Sequence, residues 1–87
     1  MRWTGITILK INYNILFILT DQERYSAAKQ AFDLGDFETA RTAFEAIIKD
    51  YPKSEHADNA QFWIGEIYYR EKWYEKAILE YQKVIEN

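Results

Sequence analysis

The side chains that could support acid–base or metal chemistry are few in this sequence. His56 is the only histidine, it lies between Glu55 and Asp58 in a polar stretch, and there is no cysteine. Zinc and related metals are bound by several histidine, cysteine or carboxylate ligands held together, and His56 has no second histidine as a co-ligand. We therefore expect His56 to be a solvated loop residue rather than a metal ligand.

A second group of polar side chains lies near a predicted helix start. Asp33, Asp36 and Glu38 are close in sequence, and carboxylates at this position cap backbone N–H groups and complement the helix dipole. We prefer capping to acid–base catalysis for them. Ser26 and Ser54 have no neighbouring base, and no glycine-rich phosphate loop is present. The sequence predicts no enzyme activity, no cofactor and no metal.

Composition limits the remaining possibilities. A chain of 87 residues makes one small domain with a modest core. A net charge of −3 argues against a nucleic-acid surface. Aromatic residues make up 17% of the chain, enough to form both a core and a binding surface.

Residues 1–20 differ from the rest because they contain no Asp or Glu. Lys10, Asn12 and Asn14 interrupt their apolar run, which argues against a membrane-spanning helix. A signal peptide needs a longer apolar core and a small-residue cleavage site, and residues 1–20 have neither. We expect residues 1–20 to be a leader, or an apolar extension that covers an exposed face of the domain. We expect no membrane insertion of residues 21–87.

Helix signals begin at Thr20, which forms a predicted capping box with Glu23. Gly35 suits the left-handed position after a helix, Asp36 and Ser54 are predicted N-caps, and Pro52 prevents helix continuation. We predict four helices with these approximate bounds: 21–34, 37–50, 55–71, and from 73 or 74 to the end.

The two halves of this region repeat. An offset of 37 positions pairs residues of the same class: Tyr25/Phe62, Ala28/Gly65, Phe32/Tyr69, Phe37/Tyr74, Ala40/Ala77, Phe44/Tyr81, Ile47/Val84 and Ile48/Ile85. The pattern of small and aromatic residues is typical of tetratricopeptide repeats, whose usual period is about 34. The three extra residues fit in the loop 51–56. We predict an all-α fold of two tetratricopeptide helix-turn-helix hairpins, repeat one over about 21–52 and repeat two over about 54–87, forming an α-solenoid fragment with an N-terminal apolar extension.

Small and aromatic residues indicate how the helices pack. Gly65 lies mid-helix, where glycine costs about 1 kcal/mol relative to alanine, so we expect a neighbouring helix close to its backbone. Ala40 and Ala77 are predicted to be buried within their hairpins. Trp63 is predicted to pack between hairpins, and Trp73 to be half exposed.

Two runs also resemble a known family: AKQAFDLGDFETARTAFEAIIKDYP from Ala28 and SEHADNAQFWIGEIYYREKWYEKAILEYQKVIEN from Ser54. They are similar to the C-terminal repeat domain in the family of the Tol-Pal system protein YbgF, the cell-division coordinator. The resemblance covers roughly residues 22–87 and is most specific in the run ADNAQFWIGEIYY. Residues 1–20 match nothing in that family.

The resemblance implies a periplasmic protein of a Gram-negative bacterium that binds TolA and helps coordinate peptidoglycan synthesis with outer-membrane constriction. Family members pair an N-terminal coiled coil with the repeat domain. Because the chain ends at Asn87, where a third repeat would be expected, we also consider a truncated or engineered fragment that mainly self-associates. An adaptor in another pathway is a further alternative.

In such arrays the first helix of each pair lines the concave groove. The resemblance therefore implies these partner-binding residues: Gln22, Tyr25, Lys29, Phe32 and Asp33 from repeat one, and Asn59, Phe62, Glu66, Tyr69 and Arg70 from repeat two. The alternative is that the four aromatic residues among them form inter-helix core and the charges a solvated rim. The paired lysines and asparagines that clamp a C-terminal carboxylate in chaperone-cofactor domains are absent, which favours a mixed apolar and polar peptide or helix as the ligand.

The last prediction concerns oligomerisation. Two repeats are fewer than the three usually needed to bury a continuous core, and the fourth helix carries the apolar residues Ile78, Tyr81, Val84 and Ile85. We expect a homo-oligomer that buries this face. The competing arrangement folds residues 1–20 over the face and leaves a monomer.

Overall fold

The computed structural model describes residues 18–86, and the expectations for a leader or an extension before residue 18 lie outside this range. The described residues form four helices and no strand: α1 (Asp21–Asp33), α2 (Phe37–Asp50), α3 (Glu55–Arg70) and α4 (Tyr74–Glu86). Loops of three residues join α1 to α2 and α3 to α4, so each pair is an antiparallel hairpin. Helix α3 packs on α2 and joins the hairpins. The predicted all-α fold of two hairpins is confirmed.

Local signals set the helix ends. The Thr20 hydroxyl accepts a hydrogen bond from the Glu23 N–H, and the Glu23 carboxylate accepts one from the Thr20 N–H, which confirms the capping box. Asp36 accepts from the Thr39 N–H. Ser54 accepts from a backbone N–H in the first turn of α3. Gly35 has a φ of +83°, the left-handed conformation predicted for it.

Small residues bring the helices of each hairpin close together. Ala40 and Ala77 are buried, as predicted. A Cβ added at Gly65 would lie 2.6 Å from Cε1 of Tyr81, so the ring of α4 occupies the space beside the α3 backbone. The expected close approach at Gly65 is therefore confirmed.

Trp63 packs between the two hairpins. Its ring centroid is 4.9 Å from that of Phe32 on α1 and 6.5 Å from that of Phe44 on α2. The prediction that it lies between hairpins is confirmed, and Trp73 is exposed at the α3–α4 turn, as expected.

A buried arginine is a feature of the core that the apolar pattern did not indicate. The Arg24 side chain is buried on α1 and forms an ion pair of 2.6 Å with Asp50, the last residue of α2. Its Nε and Nη1 donate to the backbone carbonyls of Leu19 and Ala46. The guanidinium lies 5.0 Å from the Tyr51 ring centroid. Through these interactions Arg24 links α1, and the residue Leu19 before it, to the C-terminal end of α2.

We predict that Gly65→Ala destabilises the protein by about 1–2 kcal/mol, because the added methyl group overpacks against Tyr81. This loss exceeds the gain of about 1 kcal/mol in helix propensity. Urea unfolding followed by circular dichroism measures it. In a Tyr81→Leu background the same change should become neutral or stabilising. An unchanged penalty there would show that Tyr81 is not the obstacle.

We predict that Arg24→Met lowers the free energy of unfolding by about 3 kcal/mol, because it removes a buried cation from its ion pair with the partly buried Asp50 and removes its hydrogen bonds to the Leu19 and Ala46 carbonyls. The matched control is Arg41→Met. Arg41 pairs with Glu71 at 3.2 Å, but both side chains are partly exposed, so its loss should cost below about 1 kcal/mol. Equal losses in urea unfolding would contradict the structural role assigned to Arg24.

Candidate functional site

The sequence-predicted partner-binding residues lie on α1 and α3, which are side by side. We call their shared surface the α1–α3 face and define it by these residues: Gln22, Tyr25, Lys29 and Asp33 of α1, and Asn59, Phe62, Trp63, Glu66, Tyr69 and Arg70 of α3. A shallow, open depression of about 510 Å³ lies on its α1 side. Such a shape suits an extended segment or a helix more than a small molecule.

The α1 half of this face is organised around Trp63. The Trp63 Nε1–H donates to the Tyr25 hydroxyl at 3.0 Å. The Lys29 ammonium lies 4.4 Å from the Trp63 ring centroid and 3.8 Å from the Asp33 carboxylate. The structure therefore brings Tyr25, Lys29 and Asp33 together, with their positions set by a tryptophan that was not among the predicted site residues.

Phe32 lies beneath the face rather than on it. Its side chain is only 7% exposed, and its ring packs edge-on against Trp63. The Arg70 guanidinium lies 5.0 Å above the Phe32 ring centroid, on the exposed side. For Phe32 the structure agrees with the core interpretation, while Arg70 is exposed and accessible to a ligand.

The other half of the face is directed towards α4. Phe62 is 41% exposed and Tyr69 is 55% exposed; their rings contact Tyr81 and Tyr74 respectively. The Glu66 carboxylate accepts a hydrogen bond of 2.8 Å from the Tyr81 hydroxyl. Residues spaced by four and three share one helix face, which explains why these three α3 side chains lie together on the side towards α4.

The Tyr81 hydroxyl remains a donor at any physiological pH. Burial raises its pKa to about 12, with further contributions from the hydrogen bond to Glu66 and from the negative charge of that carboxylate. A neutral phenol donates to the carboxylate. Glu66 is thereby fixed in orientation.

The expectation that His56 is a solvated loop residue is wrong. Ser54 is the N-cap, so α3 begins at Glu55 and His56 lies in its first turn. The imidazole is half buried and stacks on Tyr25 with 5.0 Å between ring centroids, and its Nδ1 is buried without a hydrogen-bond partner. His56 and Trp63 are seven residues apart and so lie on the same face of α3, which is the sequence signal that both contact α1.

Residues 18–86 hold no group of three or more His, Cys, Asp or Glu side chains placed to bind a metal ion. Within the same residues no helix is both long enough and apolar enough to cross a bilayer.

Comparison with known proteins agrees with the repeat geometry. The family model described as Tetratricopeptide repeat matches residues 22–87. Two curated proteins named Cell division coordinator CpoB, one from Pseudomonas putida KT2440 and one from Pseudomonas putida, are each 44% identical over 43 residues, or 49% of this chain. The match spans 16% of the length of each relative. No solved structure matches significantly. These similarities point to a protein–protein interaction module.

Asp21 joins the start of α1 to the start of α3, because it accepts a hydrogen bond of 2.6 Å from the Ser54 hydroxyl. This bond, with smaller contributions from the Gln22 N–H and the nearby His56, holds the pKa of Asp21 below its usual 3.8, against the opposing effect of burial. The pKa of such a carboxylate is lower in the folded chain than in the unfolded chain. Its ionised form therefore stabilises the fold at pH values above the unfolded pKa. That contribution is lost as the pH falls through the folded pKa.

We therefore predict that Asp21→Asn makes the melting temperature less sensitive to acid between about pH 5 and pH 2. Thermal unfolding followed by circular dichroism across this range measures the effect. Glu45→Gln, which removes an exposed carboxylate of α2, is the control for loss of one acidic group. Parallel curves for wild type and Asp21→Asn would show that the Asp21–Ser54 contact contributes nothing.

Proposed function

Because the chain belongs to the tetratricopeptide repeat family, we propose that it is a non-catalytic interaction module whose α1–α3 face binds a peptide or helix of a partner protein. One observation carries this proposal. Phe62 and Tyr69 expose large aromatic surfaces beside charged groups of both signs. Half-exposed aromatic residues with polar neighbours are typical of the anchors in protein interfaces.

The charges of the face favour a ligand of mixed chemistry and defined orientation. Lys29 and Asp33 of repeat one correspond to Glu66 and Arg70 of repeat two, so the order of the charges is reversed between the repeats. The four charges sum to zero, which does not suit a polyanion. A ligand with alternating charges would match them in one direction only.

We propose a TolA-like protein of the cell envelope as the partner, and the periplasm as the location. The resemblance of residues 22–87 to the Tol-Pal associated family supports this proposal, as does similarity to relatives that are named cell division coordinators. The absence of a catalytic constellation in the sequence supports a role in binding without catalysis.

The test is isothermal titration calorimetry of the whole chain with a soluble TolA domain. We expect saturable binding, and we expect Phe62→Ala and Tyr69→Ala each to weaken it about tenfold, which corresponds to about 1.4 kcal/mol. Arg70→Glu should also weaken binding, since it reverses one charge of the proposed pattern.

Leu79→Ala is the matched control. Leu79 is an exposed apolar residue of α4 outside the α1–α3 face, so its truncation should leave the affinity unchanged. Absence of binding at several hundred micromolar would reject TolA as the partner. Binding that is insensitive to both aromatic substitutions would reject the α1–α3 face as the site.

A further inference from the structure

Two cations of the α1–α3 face approach one pair of aromatic rings from different helices. The rings of Phe32 and Trp63 pack edge-on, with 4.9 Å between their centroids. The Lys29 ammonium of α1 lies 4.4 Å from the Trp63 centroid and 5.9 Å from the Phe32 centroid. The Arg70 guanidinium of α3 lies 5.0 Å from the Phe32 centroid. We call these four residues the junction site.

The geometry of the junction site is set by α1 and α3, because two of its residues belong to each of these helices. The Trp63 N–H donates to the Tyr25 hydroxyl of α1 at 3.0 Å, which fixes the indole ring beside Lys29. Lys29 lines the shallow depression on α1, and Arg70 is exposed on α3. A ligand that lies across the two helices therefore reaches both cations.

The two cations keep hydrogen-bond donors for an acceptor from outside the chain. Lys29 pairs with Asp33 at 3.8 Å, and their side chains are 31% and 68% exposed, so this ion pair is weak. Arg70 forms no ion pair with any residue in the range 18–86. An aromatic face attracts a cation, but an ammonium carries three N–H donors and a guanidinium carries five.

The charge and shape of the junction site indicate which kind of acceptor fits it. The charges of Lys29, Arg70 and the neighbouring Asp33 sum to +1, which matches the single negative charge of a carboxylate better than the larger charge of a phosphate group. The depression beside Lys29 is shallow and open, so it does not enclose the end of a chain. An acidic side chain within a peptide therefore suits this surface better than a terminal carboxylate.

We propose that the junction site binds the carboxylate of an Asp or Glu side chain of the partner, between the Lys29 ammonium and the Arg70 guanidinium. This inference rests on the proposed function, because it assigns one group of the ligand to one part of the α1–α3 face. A carboxylate has two oxygens and accepts from both cations at once. The aromatic rings exclude water from one side of each cation, which strengthens the attraction.

Two capped tetrapeptides test the proposal on the whole chain. The acidic probe is acetyl-Ala-Leu-Glu-Ala-amide and the neutral probe is acetyl-Ala-Leu-Gln-Ala-amide, so the two differ only in the side-chain carboxylate. The NMR shift of the Trp63 indole N–H reports binding. We expect a dissociation constant of about 1–10 mM for the acidic probe and a value at least about fivefold higher for the neutral probe. The difference should shrink as sodium chloride is added, because salt screens the charges.

Substitution of the two cations tests their roles separately. Lys29→Gln and Arg70→Gln should each weaken binding of the acidic probe about threefold to tenfold and leave the neutral probe unchanged. The preference for the acidic probe should disappear in the double variant. Circular dichroism confirms that the variants fold.

Lys76→Gln is the matched control for these substitutions. Lys76 also lies beside aromatic rings, 5.3 Å from the Trp73 centroid and 5.4 Å from the Tyr68 centroid. It belongs to α4 and lies outside the α1–α3 face. This variant should keep the full preference for the acidic probe.

Asp33→Asn tests the proposal in the opposite direction. The Asp33 carboxylate competes with the ligand for Lys29, so its removal should tighten binding of the acidic probe about twofold or more and leave the neutral probe unchanged. This variant remains informative if Lys29→Gln or Arg70→Gln fails to fold.

The proposal is overturned by any of four results: equal affinity for the two probes, no binding of the acidic probe at about 50 mM, equal loss of both probes in the Lys29 and Arg70 variants, or no change in Asp33→Asn. Failure of the proposed function gives a different pattern. A chain that binds the TolA domain without distinguishing the probes keeps its interaction role and loses the carboxylate site. A chain that prefers the acidic probe but does not bind the TolA domain keeps the site and loses that partner.

Discussion

The packing of Trp63 between the two hairpins is the contact on which the rest of the structure depends. One indole ring touches Phe32 of α1 and Phe44 of α2, and it belongs to α3, so it joins three helices. Its N–H is satisfied by the Tyr25 hydroxyl, which removes the cost of burying an indole donor. Since Lys29 lies over the same ring, the contact that joins the repeats also positions the α1 half of the candidate binding face.

The groove aromatic residues differ in burial: Phe32 belongs to the core, while Phe62 and Tyr69 are exposed. Helix α3 contacts α1 through Trp63, contacts α4 through Gly65, and exposes Phe62 between them. Phe32 has no such freedom, because α2 and α3 both pack on it. Sequence spacing assigns a residue to a helix face, but the number of neighbouring helices decides whether that face is core or surface.

The features that could be predicted from sequence are those with local or periodic causes. Helix ends depend on Thr20, Asp36 and Ser54 acting on adjacent N–H groups, and hairpin pairing depends on small residues at a fixed offset. The ion pair of Arg24 could not be predicted, because it joins residues 26 positions apart and a charged side chain gives no apolar signal. Lys72, the equivalent of Gly35, was missed for another reason: it adopts a φ of +70° that its residue type does not favour.

Differences between the repeats carry as much physical information as their likeness. Phe44 and Ala28 of repeat one correspond to Tyr81 and Gly65 of repeat two. The added hydroxyl of Tyr81 donates to Glu66 on α3, and the ring lies within 2.6 Å of the Cβ position at residue 65. Glycine at position 65 leaves the space that this ring fills. The hydrogen bond in turn requires an acceptor at residue 66, where the equivalent residue of repeat one is a lysine. Hence the carboxylate at residue 66 and the close packing of α3 on α4 belong to one contact, the one that Tyr81 makes with α3.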